Sequence, residues 1–307
     1  MENSYTEFLE SLFPATSIRS EFRTKLIQVL SIDPDFPTFP ASVAELQVRL
    51  NHPKTGLHEI AEIIKLDPGL TARLIALSRS AAYGGVMISS IDDALFRLGL
   101  KETRTAIFSS KLVDCFANLE VKVDWERFWL HSLLTARLTQ NIGDLFQNAS
   151  EKYYLAGLLH DVGKLIFAHY FPEAFDAIIE HSRISNLPMF EAEQILFGTH
   201  HGIVGAALCE KWGVDPEISQ AIQYHHTLQE PAEPCFLATV VHTANAVGNL
   251  WEDNIYRNKA ALVPQSLLEM PEWHLLEAFH PRQTPRFSLE TEISKARETV
   301  HSLLQKT

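Results

Sequence analysis

Residues 153–167 read YYLAGLLHDVGKLIF, and the rest of the chain is arranged around them. Leu155, Leu158, Leu159, Val162, Leu165 and Ile166 recur at the i, i+3, i+4, i+7 spacing of a buried helix face. Ala156, Gly157, His160, Gly163 and Lys164 then share the other side. Most of these are small, so that side admits a second backbone or an ion with its ligands. An aspartate buried in such a run costs several kcal/mol unless a positive group meets it. Asp161 therefore calls either for Lys164 and neighbouring histidines or for a metal ion.

The surroundings of this stretch limit what the chain does. Its 307 residues suffice for one large domain or two small ones. A net charge of −12 argues against broad electrostatic binding to nucleic acid or anionic lipid. Cys115, Cys209 and Cys235 are far apart and odd in number, which fits a reducing cytoplasm better than a disulfide framework. The N-terminal MENSYTEFLESLF carries acids where a secretion signal needs lysine or arginine. No apolar run reaches the ~20 residues that span a bilayer. The expectation is a cytoplasmic protein.

Working outward, the patterns are helical throughout and predict an all-α fold. One or two helices are expected over residues 4–32, then a proline-rich linker at 36–40 (FPTFP) and a helix over 41–50. Two helices follow over 56–82, separated by Asp67-Pro68-Gly69, with Asp67 as the cap of the second. Helices over 90–98 and 102–116 break at Gly99, and 124–146 forms a long helix with His131 on its buried stripe. Beyond the central stretch come 172–185, 189–197, 199–212, 217–226 and 235–251. Short helices near 265–270 and 272–278 and an amphipathic one over 288–304 complete the chain. Met270, Trp273, Leu275, Leu276 and Phe279 suit packing on the protein's own core or on a partner.

Four histidines, His131, His160, His201 and His225, fall on buried-looking faces of four separate helices, and His226 adjoins the last. A single histidine on an apolar stripe is commonly just a core residue with satisfied nitrogens. Four of them with Asp161 shift that balance, because imidazole and carboxylate together suit zinc, iron, manganese or nickel. Other motifs fail. Gly157 to Gly163-Lys164 is one residue too long for a phosphate-binding loop, and Leu165 stands where a hydroxyl is needed. His58-Glu59 lacks the second histidine of a zinc-protease helix. The segment 56–82, with Arg73 and Arg79 on its second helix, has a helix–turn–helix outline but the wrong turn composition, so nucleic-acid binding is not expected.

The order histidine, His-Asp-x-Gly-Lys, lone histidine, His-His resembles the HD phosphohydrolase superfamily. More narrowly it resembles the HDOD domain, the related output domain of bacterial signalling proteins. The blocks that carry the likeness run from residue 36 to 251: FPTFPASVAEL, IAEIIKLDPGLTARLIAL, ISSIDDALFRLGL, FWLHSLLTA, LAGLLHDVGKLIF, FGTHHGIVGAALCEKWGVDPEISQAIQYHH and VVHTANAVGNL. The resemblance implies a multi-helical HD-like bundle with an N-terminal helical subdomain. It divides the chain into an extension (1–35), an HDOD domain (36–251, parted near 120) and a helical tail (252–307). It implies His131, His160, Asp161, His201, His225 and His226 as metal positions, with Lys164 close by and His200 a bystander.

The departures bear on activity. Hydrolytic relatives close the set with an aspartate where this chain has Asn245, and can carry a glutamate where it has Arg127, with Glu126 one residue out of register. Arg79 stands where HDOD domains commonly have asparagine, and no GYP-type motif of cyclic-dinucleotide phosphodiesterases occurs. Asp161 alone would face the ion with its charge, so one divalent ion is expected rather than two. The expectation is a regulatory module that works through signalling proteins or other domains and does not turn substrate over. The alternative is a metal-dependent phosphohydrolase acting on a small phosphorylated ligand, with Asp161 anchoring the ion and Lys164 neutralising phosphate charge.

Overall fold

The computed structural model describes residues 2–14, 19–32, 56–85, 87–88, 90–117, 119, 121, 123–146, 150–228, 235–256, 269–279 and 288–304. The linker at 36–40 and the helix expected over 41–50 lie outside them, as does most of the short helix near 265–270. Among the described residues every regular element is helical, in agreement with the all-α reading. The chain forms two compact units. Unit 1 comprises Met1–Phe36, Leu119–Asp124 and Thr135–Arg286; unit 2 comprises Pro37–Asn118, Trp125–Leu134 and Phe287–Thr307.

In unit 2, α3 (Leu57–Lys65) and α4 (Pro68–Ser78) meet across Asp67. The Asp67 carboxylate accepts from the Leu70 amide at 2.9 Å, and proline at the first helical position costs no hydrogen bond. Lys111 holds the other carboxylate oxygen. The helix α5 (Ile91–Phe116) bends at Gly99, whose φ of 74° and ψ of 170° no helix contains, as the sequence indicated. Ile60, Ile64, Leu70, Leu74, Leu77, Leu95 and Ile107 build the core of this unit. The last helix, α15 (Leu289–Leu304), belongs to it as well, with Ser302 donating to the Arg73 carbonyl at 3.2 Å. Arg73 itself donates to Ser110 and Asp114, and Arg79 to the Ile88 carbonyl. Both arginines of the helix–turn–helix outline are thus engaged within the protein.

Unit 1 holds α1 (Glu2–Leu12), α2 (Ser20–Ile32), α7 (Glu151–Leu159), α8 (Val162–Tyr170), α9 (Pro172–Ser185), α10 (Met189–Phe197), α11 (His201–Lys211), α12 (Pro216–Tyr224), α13 (Phe236–Tyr256) and α14 (Pro271–Leu276). The long helix α6 (Trp125–Phe146) is divided between the two units after Leu134. Most of α11 is buried, with α8 and α12 packed closely on it. Phe22 of α2 stacks on Phe167 with ring centres 5.7 Å apart and lies 4.7 Å from both Phe171 and Phe197. Of the apolar tail residues, Met270, Trp273 and Leu276 pack on this unit, Trp273 lying 5.9 Å from Phe146, whereas Leu275 is exposed.

Candidate metal centre

The central stretch is two helices, not one. Residues 160 and 161 form a turn between α7 and α8, with Asp161 at φ −103° and ψ 3°. The continuous apolar periodicity across 153–167 hides this break, since both halves bury the same kind of face. The turn rotates the Asp161 carboxylate away from any capping role, and it makes no cap hydrogen bond.

The small residues admit neighbouring backbones, as their pattern suggested. A Cβ on Gly163 would stand 2.0 Å from the His201 carbonyl oxygen and 2.8 Å from the Gly205 amide nitrogen, so α8 and α11 touch backbone to backbone. A Cβ on Gly202 would lie 2.9 Å from the Ile222 carbonyl oxygen, which seats α12 against the other side of α11. On Gly157 it would lie 2.7 Å from the Ala136 Cα, which seats α7 on α6. These contacts bring the end of α7, the start of α11 and the end of α12 to one place.

There the side chains converge. Donor atoms of Asp161, His201, His225 and His226 all lie within 4.8 Å of one another. His160 Nε2 is 3.4 Å from Asp161 Oδ2, and His201 Nε2 is 3.1 Å from Asp161 Oδ1. His226 Nε2 lies 3.0 Å from His201 Nε2, its ring stacked on Phe190 at 4.3 Å. Lys164 donates to Asp161 Oδ2 at 2.6 Å. His160, Asp161, His201 and His225 are all buried.

His131 is buried too, on the portion of α6 that belongs to unit 2. Asn245 is buried on α13, where its Oδ1 accepts from Asn249 at 2.9 Å. His200 caps α11: its Nδ1 accepts from the Gly202 amide at 3.2 Å, which explains why this neighbour of His201 is buried yet turned to a different task.

The hydrogen bonds fix which ring atoms face inward. His160 Nδ1 lies 2.8 Å from the Gly157 carbonyl, and His225 Nδ1 lies 2.6 Å from that of Ile222. A carbonyl only accepts, so both Nδ1 atoms carry protons and both rings turn Nε2 toward the pocket, where in a neutral ring it is a lone pair. His225 Nε2 is buried and has no hydrogen-bond partner among the described residues. Such lone pairs, gathered around a carboxylate in a buried space, repel one another unless a proton or a cation lies between them. This donor set fits a divalent metal of the zinc, iron, manganese or nickel kind, and Nδ1 anchoring of the rings is the usual support of such sites.

The electrostatics follow from the same contacts. Burial opposes the charge on Asp161, but His160, Lys164 and His201 around it outweigh that cost and hold its carboxyl well below the usual carboxylate range. Burial, reinforced by the neighbouring rings, pushes His225 and His226 well below the usual imidazole value. Burial also opposes protonation of His201, yet Glu193 and Asp161 outweigh it, and its value is raised.

Glu193 is the residue that sequence reading passed over. It sits on α10, fully buried, with Oε2 accepting from both the His201 amide and His201 Nδ1 at 2.7 Å. In the sequence it is one of two acids on a half-exposed helix, and nothing local marks it out. His242 of α13 was likewise not assigned a role, and its Nδ1 donates to the His225 carbonyl at 2.7 Å, buttressing the turn after α12.

Comparison with known proteins shows the family and the fold. A model of the HDOD domain matches residues 36–228. An uncharacterised protein of Treponema pallidum (strain Nichols) is 26% identical over 239 residues, 76% of this chain and 45% of that protein. The chain thus spans less than half the length of that relative. The crystal structure of an HDOD domain protein from Geobacter sulfurreducens matches with a TM-score of 0.72 at 27% identity, over 93% of this chain and 100% of that one. A structure from Shewanella amazonensis SB2B, described as a candidate phosphohydrolase, shares the fold with a TM-score of 0.66 at 22% identity, over 91% of this chain and 98% of that one.

Proposed function

We propose that this chain, which belongs to the HDOD domain family, is a regulatory protein whose histidine–aspartate pocket holds one divalent ion and does not turn over a phosphoester. The observation that carries this reading is a charge count. Asp161 is the one carboxylate in the converging donor group among the described residues, and Lys164 already lies against it at 2.6 Å. Neutral imidazoles complete the group. One divalent ion is tolerable in such a site, while a second would meet almost no compensating charge.

His160, Asp161, His201, His225 and His226 are the proposed ligands. His131 joins them on its place in the family order, and Asn245 occupies the position at which hydrolytic relatives carry an aspartate. A bound divalent ion would polarise a phosphoryl oxygen and acidify a water molecule. The chain's own residues orient the ligand nitrogens and keep bulk water out of the pocket. The proposed partners are signalling proteins or other domains, in a cytoplasmic setting, with residues 36–251 as the working module. No helix among the described residues is long and apolar enough to cross a membrane.

A second reading, a metal-dependent phosphohydrolase, is favoured by the position of Lys164. This lysine is about a quarter exposed beside a buried carboxylate and could meet a phosphate as well as Asp161. Elemental analysis of the purified protein, followed by assays on generic phosphodiesters and nucleotides with Mn²⁺, Fe²⁺ and Zn²⁺, separates the two. One ion per chain without turnover supports the regulatory reading. Two ions with turnover overturn it in favour of the hydrolase.

A further inference from the structure

We infer that Glu193 is a positioning residue that sets the tautomer of His201 and thereby makes His201 Nε2 available to a metal ion. The inference rests on the proposed metal pocket, but its first readout does not need a metal. His201 stands between two carboxylates, with Nδ1 2.7 Å from Glu193 Oε2 and Nε2 3.1 Å from Asp161 Oδ1. His160 and His225 are fixed by carbonyl oxygens, which can only draw a proton to Nδ1. His201 faces a contest instead, because a neutral imidazole has one ring proton and both carboxylates attract it.

Geometry decides the contest for Glu193. Its contact is shorter, and the same Oε2 also accepts from the His201 amide at 2.7 Å, so the carboxylate is clamped to the backbone of the residue it orients. Asp161 is already engaged by Lys164 at 2.6 Å, which weakens its pull on His201. With the proton on Nδ1, Nε2 presents a lone pair toward Asp161 and His226. Without Glu193 the remaining carboxylate draws the proton to Nε2, which then hydrogen-bonds to Asp161 and blocks the ligand position. A buried glutamate supported in this way also makes the ring a more basic ligand, as carboxylate–histidine–metal arrangements do. Glu193 Oε1 is buried and has no hydrogen-bond partner among the described residues, so the charge of this side chain is directed at His201 alone.

The test uses the full-length chain with ¹⁵N-labelled histidine. In metal-free wild type at pH 8, His201 Nδ1 should give the signal of a protonated ring nitrogen. In Glu193→Ala that signal should move to the unprotonated range as the proton passes to Nε2. Mn²⁺ and Zn²⁺ affinity, measured by chelator competition, should fall about 10–100-fold. Glu193→Gln can keep both hydrogen bonds through its amide oxygen. It should retain the Nδ1 proton and most of the affinity, which also covers the case in which the alanine variant does not fold. An unprotonated His201 Nδ1 in wild type, or a protonated one with affinity within twofold in Glu193→Ala, overturns the inference. An unprotonated Nδ1 in a folded Glu193→Gln protein does so as well. Wild type that binds neither metal refutes the metal pocket instead, and leaves the tautomer assignment to the nitrogen signals.

Discussion

Gly163→Ala tests the packing on which the pocket depends. The added Cβ would lie 2.0 Å from the His201 carbonyl oxygen, whereas ordinary contact of a Cβ begins at 3.4 Å. The clash cannot be relieved by rotating a side chain, because both sides are backbone: the His201 carbonyl carbon lies 2.9 Å away and the Gly205 amide nitrogen 2.8 Å. The helices α8 and α11 must therefore separate by about 1 Å. Overpacking of this kind costs about 1–3 kcal/mol, and rigid surroundings place this site at the upper end. Separation also carries Asp161 away from His201, whose 3.1 Å contact spans the same two helices. For a unit of this size about 3 kcal/mol corresponds to a fall in Tm of about 6–12 °C. Gly205→Ala is the control. Its Cβ would meet the Ile222 methyl at 3.2 Å and the Gly163 amide nitrogen only at an ordinary 3.4 Å, and alanine gains about 1 kcal/mol of helix propensity over glycine. Thermal and urea unfolding should rank wild type and Gly205→Ala together, well above Gly163→Ala, and metal uptake should fall only in the last. A Gly163→Ala protein as stable as wild type would show that α8 and α11 do not meet at this point.

Three further outcomes are expected. The metal-free protein should lose stability as pH falls from 6.5 to 5. His225 and His226 are held neutral in the folded state well below their unfolded values, so only the unfolded chain gains their protons in this range. At up to about 1.4 kcal/mol per pH unit for each ring, the loss approaches about 4 kcal/mol, and a flat urea midpoint between pH 7.5 and 5 in chelator contradicts it. His200, lowered by burial to about 3, adds in the same direction. His201 has the opposite sign: its contribution is complete below its unfolded value near 6.5 and is lost as pH rises through its raised folded value. Asp67→Ala should cost about 1–2 kcal/mol by removing the cap of α4, while Asp67→Asn should stay close to wild type; equal Tm values for all three would contradict the capping assignment. Asn245→Asp should raise Mn²⁺ affinity, and unchanged affinity in titration would remove Asn245 from the pocket.

The fold was legible wherever a residue type has one physical use. Asp67-Pro68 can hardly do anything but start a helix, and Gly99 breaks α5 at the residue where the pattern faltered. Val162, Leu165 and Ile166 repeat as a helix face must, and they are buried. The pocket was legible for a related reason: His160, His201 and His225 sit among apolar neighbours that leave a ring no route to solvent. Two features were not legible, and both concern direction rather than identity. Apolar periodicity reports which residues are buried but not where the chain turns, so the break at His160 and Asp161 is invisible when both flanking helices are buried. Yet that turn is what points the carboxylate at the histidines.

Glu193 was hidden for the converse reason. Acids on helices are usually solvated, and nothing local distinguishes Glu193 from Glu191 two residues earlier, which lies on a half-exposed surface. What separates them is the start of α11, eight residues after Glu193, where an amide and a ring nitrogen of one histidine both need an acceptor. The Asp161 charge was visible from the sequence because its cost of burial demands a partner. The Glu193 charge is buried at the same cost, and its partner is a ligand of the pocket rather than the ion itself. A charge count restricted to ligands therefore understates the negative potential around the site. On the proposed reading the second carboxylate would strengthen binding of one ion through His201 while offering no oxygen to a second, and so would raise affinity without restoring a two-metal centre.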